Sequence, residues 1–171
     1  MNKIITPEEL KSWVDLGKKI DSDKINQIIS QAQEVDLRDY MGFKLYFNVL
    51  GNLEDETYQD LLSGSTFQYD GIPLQHEGLK SMLANLFMAR YVLQLNTNIT
   101  PFGAVTKATQ DSEPADRNSL KDIAQGHKEE ASSKWEIIKL YLEVNKVQFP
   151  IHNTTKNTIV TGEKRLRFRK I

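Results

Sequence analysis

The 171-residue sequence has no cysteine, only five prolines and only three histidines. Without cysteine there is no disulfide framework, no thiol nucleophile and no thiolate metal site. His76, His127 and His152 stand far apart, in no spacing that metal ligands use. His127 falls on an apolar helical stripe, where a hydrogen-bonded core histidine is the expected role. There is no nucleophile elbow, no phosphate-binding glycine loop, no dinucleotide fingerprint and no helical His-Glu metal motif. No catalytic residue, metal ion or cofactor is therefore expected. No apolar run approaches the length of a transmembrane helix, and polar or charged residues interrupt the start of the chain by Glu8. The expectation is a soluble, intracellular chain without a membrane partner.

What is present is ordinary in amount and uneven in placement. A hydrophobic content of 39% with 26% charge suits one globular domain large enough to bury a core. The formal net charge is −1. Residues 1–60 nevertheless carry seven Lys/Arg against twelve Asp/Glu, and residues 150–171 carry six Lys/Arg against one Glu. An acidic head and a basic tail suit copies or partners that meet head to tail, or a tail that touches an acidic surface.

Helical periodicity dominates the chain. Thr6-Pro7-Glu8-Glu9 is a helix start, with a capping hydroxyl, a proline at the first position and carboxylates at the positive end of the dipole. Leu10, Trp13, Val14 and Leu16 are expected to bury one side of this helix, which stops near Gly17. Asp21-Ser22-Asp23 caps a second helix whose stripe is Ile25, Ile28, Ile29, Ala32 and Val35 or Asp36. It runs to about Tyr40, and Gly42 allows a break. Residues 43–50 are apolar on nearly every face and read as a third helix, with strand as the lesser alternative. Glu54-Asp55-Glu56 reads as a solvated helix start, since neighbouring carboxylates on a helix diverge. Thr66–Gln75 is a hairpin around Asp70-Gly71, and Pro73 restricts its second arm to an edge. The stretch Gly78–Gly103 begins with the most apolar run, a central helix over residues 79–95 covered on two sides, followed by a polar loop closed by Pro101-Phe102-Gly103. Leu120, Ile123, Ala124, His127, Ala131, Trp135, Ile138, Tyr141 or Leu142 and Asn145 trace one stripe along a last long helix. That helix ends at Phe149-Pro150 and packs antiparallel on the central one. Trp13, Tyr91 and Trp135 are expected in the core.

The expected class is mainly α: a helical bundle with a long central and a long C-terminal helix, a small β-hairpin near 66–75 and a β-like C-terminal tail. Residues 1–150 form the helical domain and 151–171 the basic tail. In the tail, Leu166 and Phe168 face one way and Arg165, Arg167 and Arg169 the other. Lys164, Arg165, Leu166, Arg167, Phe168, Arg169 and Lys170 are the candidate partner-binding residues. They fit three readings: an interfacial arm, a solvated terminus, or a strip that meets nucleic-acid phosphates. Phe102 either folds back to cap the core or, if exposed, anchors a neighbouring subunit.

Short motifs carry a resemblance. The opening Thr6-Pro7-Glu8-Glu9-Leu10-Lys11 is followed by Asp21-x-Asp23-Lys24-Ile25-x-x-Ile28-Ile29-x-x-Ala32-Gln33. Together they resemble the head–tail connector proteins of tailed bacteriophages, also called head-completion or adaptor proteins. The Gly78-Leu79-Lys80…Ala89-Arg90-Tyr91 helix, the Thr100–Lys107 loop and the final Tyr141-Leu142-Glu143-Val144-Asn145…Phe149-Pro150 are similar to versions from phages and prophages of Bacteroidetes. The resemblance spans roughly residues 4–150. The 54–56 segment, the Asp70-Gly71 hairpin and the basic tail depart from it. It implies a structural virion protein that is not an enzyme. Its copies form a ring, usually dodecameric, between portal and tail at the head–tail junction, assembled in the host cytoplasm. The implied partners are other copies, the portal protein, tail or further connector proteins, and packaged DNA contacted in the channel without sequence specificity. The alternative class is a helical binding module whose basic tail contacts nucleic acid.

Overall fold

Thr6 opens the first helix as a capping box: its hydroxyl accepts from the Glu9 amide at 3.2 Å, and its own amide donates to the Glu9 carboxylate at 2.9 Å. With Pro7 at the first position, helix α1 runs Pro7–Trp13, short of the expected stop near Gly17. This is a computed structural model, and it describes residues 2–16, 21–94, 97–100, 103–106 and 116–150. Leu10 is fully buried, but Trp13 is 41% exposed, which corrects its expected place in the core.

Asp21 caps α2 (Ser22–Gln31) by accepting from the Asp23 amide. A π-helical turn, Ala32–Leu37, continues it directly into α3 (Arg38–Gly51). The wider turn moves the buried stripe from Ala32 to Leu37, a step of five, and then to Met41. Val35 is thereby left exposed, and Asp36 takes the place beside the core. Gly42 then breaks the helix with φ 72 and ψ 158, a conformation open in practice only to glycine. The expected break and the third helix after it are both present.

Asp55 caps α4 (Glu56–Ser63), accepting from the Thr57 amide at 2.8 Å, and this hydrogen bond holds its carboxyl below the usual carboxylate range. The 54–56 triplet is thus a solvated helix start. Strands β1 (Ser65–Tyr69) and β2 (Ile72–His76) pair antiparallel across a turn in which Asp70 and Gly71 both have positive φ, as an Asp-Gly hairpin turn requires. The hairpin packs on the C-terminal half of the last helix, with the Phe67 and Tyr141 rings edge-on at 5.5 Å.

Helix α5 (Gly78–Gln94) lies at the centre, with Leu79, Met82, Leu83, Leu86, Phe87, Tyr91 and Val92 all buried. Its polar side chains tie it to its neighbours. Lys80 meets Glu9 of α1 at 2.8 Å, and Arg90 grips Asp36 of the π turn through two hydrogen bonds. The stretch after α5 was expected to be a polar loop. Instead β3 (Thr97–Thr100) and β4 (Gly103–Thr106) pair antiparallel, Thr100 opposite Gly103.

Asp116 caps α6 (Arg117–Val144), which is about 42 Å long at 1.5 Å per residue. Lys134 donates to Ser81, and His127 lies 3.1 Å from the Asn85 side chain, so α6 runs antiparallel to α5 as expected. Ala124, Ala131, Trp135, Ile138, Tyr141 and Leu142 are buried. Ile123 is half exposed, a correction: the stripe bends away from it onto Ala124. Beyond the helix, Phe149 turns back and buries its ring against Tyr58 at 5.2 Å and Tyr141 at 6.1 Å.

Candidate functional site

Ser65 and His76 come closest to a nucleophile–base pair. They are cross-strand partners at the open end of the first hairpin, with Ser65 Oγ 3.1 Å from His76 Nε2. The ring is buried, its face against Tyr141 at 4.3 Å and its edge near Phe67 at 6.0 Å. Its other nitrogen, Nδ1, meets no hydrogen-bond partner. A catalytic histidine is oriented through that nitrogen and reaches solvent or substrate with the other. Here Nε2 is engaged by Ser65 inside the fold, and Nδ1 is buried with no group to orient it. Burial holds the imidazole below its ordinary 6.5, and Asp60 pulls weakly the other way.

That shift has a measurable consequence. Above about 6.5 both folded and unfolded chains hold neutral imidazole, so the group adds no pH dependence. As pH falls below 6.5 the unfolded chain takes up a proton that folded His76 resists. Stability then declines at up to about 1.4 kcal/mol per pH unit until the folded value is reached. Urea denaturation at pH 7.5, 6.5 and 5.5 should show this decline, and His76→Phe should flatten it. An unchanged slope in the variant would reject the assignment. Glu9 and Glu77 are held below their ordinary 4.5 by hydrogen bonds from Lys80 and Lys134, so their contribution is lost only in a more acidic window.

Among the described residues, no group of three or more His, Asp or Glu side chains could hold a metal ion. No helix there is long and apolar enough to cross a membrane. The chemistry on the surface is apolar instead. After the break at Gly42, helical spacing turns Leu45, Tyr46 and Val49 inward and Phe43, Phe47 and Gly51 outward. Phe43 is 64% and Phe47 53% exposed. Their rings stack at 6.3 Å with 23° between planes, and the edge of Tyr46 supports Phe47 at 5.2 Å. The Arg38 guanidinium lies 4.9 Å from the centre of the Phe43 ring, where the negative face of the ring attracts it.

At Gly51 the strip opens into a groove of about 650 Å³ whose lining includes Lys3, Leu50, Leu53, Glu54 and Asp55. A single exposed aromatic is unremarkable on a protein surface, whereas here two stacked rings lie side by side in solvent. Other exposed apolar side chains are less concentrated. Ile123, Ile137 and Val144 recur at multiples of seven along α6, but Glu130 occupies the position between the first two.

The residues singled out from the sequence, Phe102 and Lys164–Lys170, lie outside the described residues, as does the proposed β-like tail. The aromatic strip was not anticipated. Its signal was there in Phe43 and Phe47, a pair at i, i+4 lying off the stripe of Leu45, Tyr46 and Val49.

No curated protein and no solved structure matches this chain. Residues 37–161 match a family of unknown function, DUF6712, a span that takes in the aromatic strip, both hairpins and α6. Since that span covers most of the sequence, the chain belongs to the DUF6712 family of unknown function.

Proposed function

We propose that this protein is a structural assembly component rather than an enzyme, one whose copies associate through exposed surfaces. The observation that carries this reading is the stacked, solvent-facing Phe43–Phe47 pair. Burying an aromatic side chain of this size is worth about 1.5–3 kcal/mol. Leaving two stacked on one face forgoes stability that a partner can recover. The opposite charges of head and tail supply orientation to such an association.

Together with the connector-like motifs, these features support a specific form of the proposal. The chain is a head–tail connector or adaptor of a tailed bacteriophage, forming a ring, dodecameric in the common pattern, between portal and tail. It assembles in the host cytoplasm and resides in the virion, where it extends the DNA channel and contacts DNA without regard to sequence. Its partners are its own copies, the portal protein and tail or further connector proteins.

Native mass spectrometry and negative-stain imaging of the full chain, alone and mixed with a portal protein from the same genome, test the proposal. Closed rings in either sample are expected. A chain that stays monomeric in both, up to high micromolar concentration, would overturn it. The nucleic-acid reading rests on the interleaved arginines of the tail. It would gain if DNA affinity fell steeply with salt and the slope shrank on replacing Arg165, Arg167 and Arg169.

A further inference from the structure

The negative charge of the first sixty residues is not spread along them. Residues 1–33 balance, with five carboxylates and five basic side chains, whereas residues 34–60 carry seven carboxylates against two basic side chains. The whole excess therefore falls on the segment that carries the aromatic strip and α4. Glu54, Asp55 and Glu56 are exposed there, at the end of the groove that the strip enters at Gly51. The surface thus has two parts in line: an apolar ladder, Phe43 then Phe47, and an acidic mouth.

The tail has the complementary composition. In an extended segment, Leu166 and Phe168 point to one side about 6.6–6.8 Å apart, twice the rise per residue. The Phe43 and Phe47 rings are 6.3 Å apart. Such a segment lays one apolar side chain on each ring and turns Arg165, Arg167 and Arg169 toward the surroundings. There, guanidinium groups can pair with carboxylates. The path is also open: a side chain added at Gly51 would meet nothing within 4 Å. Phe149 is anchored on Tyr58 of α4, and the fifteen residues from Pro150 to Lys164 can span at most roughly 50 Å.

We infer that the strip Phe43–Phe47–Gly51, with the acidic groove beyond it, is the dock for the Lys164–Lys170 segment of another copy of this chain. Each copy then presents one dock and inserts one arm, a head-to-tail contact that closes into a ring when the rotation between copies allows it. The inference rests on the assembly reading above and specifies where its self-contact lies.

The test uses the full chain. A photo-reactive benzoylphenylalanine replaces Phe168 in ordinary protein, which is mixed with 15N-labelled wild-type protein, irradiated and mapped by mass spectrometry. Crosslinks from residue 168 into residues 43–55 of the labelled copy are expected. In parallel, Gly51→Trp fills the open space over the strip without touching the core. It should leave the circular dichroism spectrum unchanged while raising the concentration for half-assembly at least about tenfold.

Assembly that persists unchanged in Gly51→Trp, with residue 168 crosslinking elsewhere, would overturn the dock and leave the assembly reading standing. Crosslinks into the strip confined to the same copy would overturn the exchange between subunits. A chain that remains monomeric, with no crosslinks between copies, would remove both readings.

Discussion

Gly78→Ala and Gly64→Ala are each expected to destabilise the fold by about 3–5 kcal/mol, a large share of the 5–15 kcal/mol typical of a domain. The two glycines sit where the first hairpin leaves α4 and re-enters α5, and there the backbones touch. A Cβ on Gly78 would stand 2.5 Å from the Gly64 nitrogen and 2.5 Å from the Leu62 carbonyl oxygen. One on Gly64 would stand 2.5 Å from the His76 carbonyl oxygen. All of these are main-chain atoms, so no side chain can swing aside. Gly64 and Gly78 also have positive φ, 98° and 79°, which adds strain of about 1–3 kcal/mol for any residue with a Cβ.

Gly126→Ala on α6 is the control. Nothing lies within 4 Å of its added methyl, and the helix should gain about 0.5–1 kcal/mol from the better helix former. Urea unfolding followed by circular dichroism reads all three. A loss under 1 kcal/mol at both Gly64 and Gly78 would mean that the crossing is looser than described.

The second large effect lies at the end of the described chain. Phe149→Ala should cost about 3–4 kcal/mol, because the ring is buried against Tyr58 and Tyr141 and its removal leaves a cavity. Phe149→Leu retains most of the apolar volume and should cost about 1–1.5 kcal/mol. The same anchor determines where the basic tail departs. Amide hydrogen exchange in α4 and the last turns of α6 should accelerate in the alanine variant, while the α1–α2 amides keep their protection. Uniform acceleration across the chain would show instead that Phe149 supports the whole core rather than this corner.

How much of this was legible from residues alone depends on the range of the interaction. Capping and turn chemistry is local. Thr6, Asp21 and Asp55 cap through hydrogen bonds to amides two or three residues away, and Asp70-Gly71 turns the chain within four residues. Such features read correctly because no distant partner can alter them. The mainly α class, the central and last helices and their antiparallel packing followed from long periodic stripes for the same reason.

The misreadings share a cause as well. Trp13 and Ile123 are apolar residues at the edge of a stripe, and whether an edge position is covered depends on the length and angle of the neighbouring helix. The π turn at Ala32–Leu37 shifts the register by one residue, a choice made by the Asp36–Arg90 pair and the packing against α5. Strands β3 and β4 are four residues each, too short to announce themselves in a polar stretch.

By itself, then, the sequence determined the helices, their caps, the first hairpin and the opposition of an acidic head to a basic tail. These depend on neighbours within a few residues or on composition. Only the tertiary structure decided which apolar side chains stay outside. Phe43 and Phe47 have the same hydrophobicity as the buried Phe67 and Phe87. What separates them is that the fold buries Leu45, Tyr46 and Val49 on one face of the helix after Gly42 and leaves the face of Phe43 and Phe47 to solvent. Burial is a property of the assembled surface, and that is why the site emerged from the fold rather than from the pattern of residues.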